Sequence, residues 1–219
     1  MNLLAIDTTT AHSSVALGYQ NRLLSRRQDT IKQHARLLLP MIDELLKEAD
    51  VSLNQLDGIV FGRGPGSFTG LRIACSAAKA LAFAHDLPVY PVSSLASIAQ
   101  DAFKMANHIA DETTVLAMID ARMQQVYWAY FSSSNCFAST EHVSDADKVT
   151  ISQNPVVLAG VGLEPYRPAL SEALQHNIVQ TYSLFPDAQT LIQLVQSVSA
   201  QDALPVYVRN QVTQGAKRG

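Results

Sequence analysis

Apolar positions follow two rhythms along this chain. Short apolar runs at residues 3–6, 56–61, 115–119 and 156–159 read as buried strands. Residues 14–17, 23–27, 89–92 and 126–131 read as further strands, and Tyr19, Gln20 and Asn21 turn the first two into a hairpin. Residues 137–142 are another strand candidate, and 206–209 a last strand or extended segment. The clearest helical rhythm spans 33–49, where Ala35, Leu38, Leu39, Ile42, Leu45, Leu46 and Ala49 recur at i, i+3, i+4 and i+7. Leu37 and Met41 lie outside that stripe and widen the apolar arc, while Pro40 predicts a kink or an irregular first turn. So wide an arc fits a partner surface, or a helix held between elements of its own lobe.

Residues 71–85 are rich in alanine, which loses no side-chain entropy in a helix. Along this segment Leu71, Ala74, Cys75, Ala78, Leu81 and Ala82 are mostly small, so another helix can come close. Residues 93–105, 169–175 and 188–199 complete the helices, with Ser93 or Ser94 and Asp187 as N-caps. Strand, hairpin, helix, strand, helix thus occurs twice, and each copy opens on a strand ending in an aspartate, Asp7 or Asp120. The pattern predicts a duplicated α/β architecture of two lobes, 1–106 and 107–219. The boundary falls in the polar stretch 107–113, with the last segment expected to pack back on the first lobe.

Between the strand at 56–61 and the alanine-rich helix, Gly62, Gly64, Pro65, Gly66 and Gly70 form a turn that also carries Ser67. Glycines admit positive φ and close backbone approach, and a helix start favours an anion. The alternative is a tight turn that seats the helix on the sheet and binds nothing. The segment matches neither GxGxxG nor the P-loop pattern.

The chain of 219 residues is 47% apolar but only 16% charged, below the usual value of about 25%. That composition permits a large core, an additional buried interface, or both. A net charge of −3 gives no global attraction for nucleic acid, and basic residues cluster only at Arg26-Arg27 and Lys217-Arg218. Cys75 and Cys136 form no metal or redox motif, which fits a reducing compartment. With no signal-peptide pattern and no long apolar stretch, the expectation is a cytoplasmic protein that does not enter a membrane.

The segment GRGPGSFTGLRI resembles the signature of the bacterial TsaB (YeaZ) family. MNLLAIDTTTAHSSVAL, VLAMIDARMQQVYWAYF and PVYVRN resemble the same family, so the likeness covers nearly the whole chain. It implies the ASKHA fold of actin, Hsp70 and sugar kinases, with two similar lobes, each a mixed sheet with flanking helices. In that fold a strand ending in aspartate and running into a hydroxyl-rich hairpin holds phosphate. Asp7, Thr8, Thr9 and Ser13 occupy those places here, and Gly64, Gly66 and Ser67 join them as vestigial phosphate-loop candidates. The hydroxyls could donate to phosphate oxygens and Asp7 could hold a hydrated metal ion; equally, Asp and Thr after a strand close a turn.

The family also implies a role. Its members are non-catalytic paralogues of TsaD, which makes N6-threonylcarbamoyladenosine at position 37 of ANN-decoding tRNAs, and they activate TsaD together with the ATPase TsaE. Expected partners are therefore a TsaD-like subunit, a TsaE-like ATPase, a second copy when alone, and tRNA mainly through the partner. The interface implied is the helix pair, through Leu37, Leu38, Met41, Ile42, Leu45, Leu71, Ala74, Cys75, Ala78, Leu81 and Ala82. No cofactor is expected to bind tightly, with ATP or ADP placed at the partner contact.

The absent residues point the same way. TsaD carries a His-x-x-x-His pair after the corresponding Pro-Val, and in this chain those positions fall on Ser94 and Ile98. Isoleucine offers a metal no lone pair. Asp120 is followed by Ala121-Arg122-Met123-Gln124-Gln125 with no glycine, which obstructs a second phosphate loop. Two further readings are a stand-alone ATP-dependent enzyme of the sugar-kinase type and a glycoprotease-like peptidase. No GxSxG, HExxH or Cys–His signature supports the latter.

Overall fold

The first apolar run forms strand β1 (Leu3–Asp7), every residue of which is buried. It lies antiparallel to β2 (Ser13–Tyr19), which turns through Gln20 and Asn21 into β3 (Arg22–Gln28). Both turn residues have positive φ, the left-handed two-residue hairpin that matches the twist of its strands. On its other side β1 pairs in parallel with β4 (Gly58–Gly64), and β4 with β5 (Val89–Ser93). Helix α1 (His34–Ala49) connects β3 to β4, and α2 (Phe68–His85) connects β4 to β5. The computed structural model describes residues 1–29, 34–106, 113–133, 140–195, 199–200, 204 and 207–208.

A second sheet repeats the first. Strands β6 (Thr114–Asp120), β7 (Gln125–Ser132), β8 (His142–Asp145), β9 (Val156–Val161) and β10 (Ile178–Ser183) form it. Their order, β10-β9-β6-β7-β8, matches β5-β4-β1-β2-β3 element by element, with the same parallel and antiparallel senses. Helix α4 (Glu172–Asn177) stands between β9 and β10 as α2 does between β4 and β5, whereas a single turn, Ala146–Lys148, takes the place of α1.

The halves are locked by exchanging helices. Helix α3 (Ser94–Met105) follows β5 but packs on β6, β7 and β9, while α5 (Ala188–Leu194) follows β10 but packs on β1, β2 and β4. One apolar cluster, containing Ala5, Val60, Leu95, Ile98, Ala117 and Leu191, therefore runs through both halves. A second cluster fills the other side of the first sheet beneath α1 and α2.

That second cluster corrects the expected interface. Leu38, Met41, Ile42, Leu45, Leu71, Ala74, Cys75, Ala78 and Ala82 are buried within the chain itself, and only Leu37 and Leu81 of the candidates are half-buried. The wide arc of α1 is used by its own core: Leu38, Met41, Ile42 and Leu45 join strand residues such as Leu4, Ile6 and Phe61 in one cluster. The outward row of α2 is Ile73, Ala77, Ala80, Phe83 and Ala84, with Phe83 93% exposed. Leu39 of α1 is 57% exposed, although the periodicity put it on the buried stripe.

Other differences are local. α2 starts at Phe68 rather than Leu71, because Ser67 caps it and accepts from the Gly70 N–H. The helix expected at 169–175 is a short turn, Arg167–Ala169, followed by α4 with Ser171 as its cap. Strand β10 has no counterpart in the sequence reading, since most of its residues are exposed and show no apolar alternation. Of the strand expected at 137–142, residues 137–139 lie outside the described residues, 140 and 141 form no strand, and 142 begins β8. The lobe boundary at 107–112, residue 33, residues 196–198 of the last helix and residues 206 and 209 lie outside the described residues, while 207 and 208 form no strand.

Candidate functional site

The carboxyl group of Asp7 lies at the end of β1, fully buried. Its Oδ1 accepts from the Thr9 N–H at 2.9 Å and from the Thr9 hydroxyl at 2.8 Å. Among the described residues its Oδ2 has no hydrogen-bond partner. Burial pushes the Asp7 pKa up to about 7; the two hydrogen bonds from Thr9 oppose this, and the charge of Asp187 adds to it.

The glycine turn is pressed onto this loop. The Thr8 hydroxyl donates to the Gly70 carbonyl at 2.6 Å, and the Ser67 N–H donates to the Thr9 carbonyl at 2.6 Å. A Cβ on Gly70 would stand 1.8 Å from the Thr8 carbonyl oxygen, and one on Gly66 would stand 2.3 Å from that of Thr9. These glycines serve backbone-to-backbone contact, which no larger residue permits. The Gly64–Pro65 peptide is cis. From the start of α3, the Ser94 hydroxyl donates to Thr9 Oγ1 at 3.0 Å.

A cleft of about 840 Å³ opens beside this contact. Thr9, Thr10, Gly66, Ser67 and the first turn of α2 form one wall, and Ile119, Asp120, Arg122, Met123 and Val161 of the second half form the other. Tyr207 and Val208 also border it. The N-terminal end of α2 faces the opening, an electropositive helix end. The opposite aspartate repeats the arrangement of the first: Asp120 Oδ1 accepts from the Arg122 N–H at 2.6 Å and from the Tyr166 hydroxyl at 2.6 Å. Arg122, Met123 and Gln124 all have positive φ, so the loop turns left-handed without glycine, and Arg122 and Met123 stand in the cleft wall.

The candidate residues therefore come together but divide by access. Thr9, Gly66 and Ser67 border the cleft. Asp7, Thr8, Ser13 and Gly64 are buried and do not line it. The expectation that they face a bound phosphate is corrected: the Thr8 and Thr9 hydroxyls are spent on Gly70 and Asp7, and the turn seals Asp7 from the opening. Ser94 and Ile98 are fully buried, with Ile98 in the shared apolar cluster.

Sequence reasoning missed three contributors. Thr10 lines the cleft with a buried hydroxyl that has no partner among the described residues. Tyr166 reaches Asp120 across 46 positions. Arg63 meets Glu141 in two hydrogen bonds of 3.1 Å, and Ser93 also donates to Glu141, tying the first half to the second. Nothing local in the sequence announces these pairs; they exist only because the halves are folded together.

A family profile described as TsaD, tRNA N6-adenosine threonylcarbamoyltransferase, matches residues 25–204. A protein of Haemophilus influenzae named tRNA threonylcarbamoyladenosine biosynthesis protein TsaB is 35% identical over 97% of this chain and 95% of its own length. The chain belongs to the TsaB (YeaZ) family. The Escherichia coli protein of the same name is 33% identical, covering 97% of this chain and 96% of its own length. The solved structure of YeaZ from Pseudomonas aeruginosa superposes with a TM-score of 0.83 at 37% identity, covering 94% of this chain and 99% of that one. A second structure from that organism, an uncharacterized protein with similarity to peptidase YEAZ, gives 0.84 at 38% identity, covering 95% and 99% of the two chains. The family thus accounts for the α/β architecture of two mixed sheets flanked by helices.

Proposed function

We propose that this protein is a non-catalytic scaffold in the formation of N6-threonylcarbamoyladenosine on tRNA. In this reading it binds and activates a TsaD-like catalytic subunit in the cytoplasm, together with a TsaE-like ATPase, and tRNA is held mainly by the catalytic partner. The observation that carries the reading is the closure of the site at the end of β1. There Thr8 and Thr9 spend their hydroxyls on the chain's own groups, and the positions matching TsaD's histidine pair are the buried Ser94 and Ile98. The repeated strand order and exchanged helices support an ASKHA-type assignment. ATP or ADP belongs at the contact with the partner rather than in a complete site of this chain.

The contact itself moves outward from the buried candidates to the outer face of α2, where Ala80, Phe83 and Ala84 are exposed and Ile73 and Ala77 are half-buried, as are the flanking Leu37 and Leu81. Small residues let a partner helix approach, and Phe83 supplies the large apolar side chain. The same row serves a second copy when the partner is absent.

The test is reconstitution. With ATP and an activated threonylcarbamoyl donor supplied, the chain alone is expected to yield no modified tRNA, a TsaD-like subunit with its ATPase little, and the three together full formation, the chain and the TsaD-like subunit co-purifying. Modification by the chain alone, or full activity without it, would overturn the reading.

A further inference from the structure

The mouth of the cleft between the halves is apolar although it faces water. Phe68 is 43% exposed, Met123 58% and Tyr207 43%, and all three border the opening. Exposed apolar side chains gathered round one concavity mark a binding surface, whereas scattered ones do not. Tyr207 lies against Phe68 with ring centroids 5.6 Å apart, and the Arg72 guanidinium stands 3.9 Å from the centre of the same ring. The Phe68 ring thus accepts both an aromatic and a cationic neighbour. Met123 belongs to a turn in which Arg122, Met123 and Gln124 have φ of 61°, 54° and 63°, strained for residues that carry a Cβ.

Charge around the mouth is mainly of one sign. Arg72 and Arg122 are exposed, the N-terminal end of α2 faces the opening, and α2 contains no acidic residue. Asp120 is the one carboxylate among the described residues that border the cleft. It is compensated by the Arg122 guanidinium at 3.2 Å and accepts from the Arg122 N–H and the Tyr166 hydroxyl. The cleft is also continuous with the outer face of α2, since Ile73 lines it.

We infer that this mouth receives a short segment of the TsaD-like subunit, one that carries an aromatic or large aliphatic side chain beside an aspartate or glutamate. The apolar side chain enters among Phe68, Met123 and Tyr207, and the carboxylate meets Arg72 and the N-terminal end of α2. This foothold rests on the proposed pairing with that subunit and adds to it, because Phe68 lies about 22 Å along α2 from Phe83. Charge favours such a partner over a second copy, whose own α2 has no carboxylate to offer.

The test uses the full chain with the TsaD-like subunit. A photoreactive benzoylphenylalanine introduced at Met123 should crosslink to a segment of that subunit in which an aromatic or large aliphatic residue lies next to Asp or Glu. Met123→Glu and Arg72→Glu should each weaken pairing by about tenfold or more in titration calorimetry, while Arg72→Lys keeps most of the affinity. Circular dichroism confirms that each variant is folded. Crosslinks confined to the chain itself, or to a segment lacking the acidic and apolar pair, overturn the inference. So does either glutamate variant binding as the parent does. If Phe83→Glu weakens pairing and these two variants do not, the foothold falls and the proposed pairing stands. If the unaltered chain does not pair with the subunit, both fall.

Discussion

Asp7 carries the largest chemical consequence of any single side chain here. Its pKa stands at about 7, against the ordinary 3.8 of an exposed aspartate. Between those values the folded chain keeps a proton that the unfolded chain has lost. Its contribution is therefore most favourable below about pH 4 and declines as pH rises to about 7, where the loss is complete. The shift corresponds to roughly 4 kcal/mol as an upper figure. Asp7→Asn keeps an oxygen for the Thr9 N–H and hydroxyl and removes the titration. Urea denaturation should find the variant more stable than the parent at pH 8, by about 1–4 kcal/mol, with the gap closing toward pH 4. A parent that gains stability over the variant as pH rises would show that Asp7 is held as a stabilised carboxylate.

At the scale of elements, the two faces of α2 separate core from contact surface. Ala78 is fully buried and Leu38 of α1 is 2% exposed, so a carboxylate at either would lie unpaired in the apolar cluster beneath the helices. Ala78→Glu and Leu38→Asp are expected to cost several kcal/mol and to yield insoluble or unfolded chain. Phe83→Glu changes a side chain that touches little of its own molecule, so thermal stability should shift by less than about 0.5 kcal/mol. It should nevertheless reduce co-purification of a TsaD-like subunit by at least about tenfold, since a charge would enter an apolar contact. Differential scanning calorimetry read beside a pull-down separates the two effects. Undiminished pairing in Phe83→Glu would remove this face from the contact.

Across the whole molecule, the exchanged helices make the halves one cooperative body, and Arg63 with Glu141 adds a polar tie between them. Glu141 is largely buried and accepts from both Arg63 and Ser93. Arg63→Met leaves that carboxylate without its main partner and should lower the unfolding free energy by about 3 kcal/mol. The double variant Arg63→Met with Glu141→Leu should recover part of the loss, because no buried charge is then left behind. A denaturant series over the four chains gives the coupling directly. Additive losses would mean that the two side chains do not work as a pair.

Much of this architecture was already written in local patterns. The apolar runs ending in Asp7 and Asp120, the Gln20-Asn21 turn and the serine caps act over a few residues, so spacing alone specifies them. The repeat of strand and helix, and with it the duplicated fold, followed from the same short-range rules. Only the tertiary structure decided which side of an apolar element is used. Leu38, Ala74 and Ala78 were legible as apolar but not as interior, because periodicity marks a face without naming what covers it. It also decided that Gly66 and Gly70 meet the Thr8–Thr9 backbone, a contact made across some sixty positions of chain. β10 was invisible beforehand for a related reason. An edge strand exposed along most of its length has no apolar alternation to display, and its place is set by hydrogen bonds to β9.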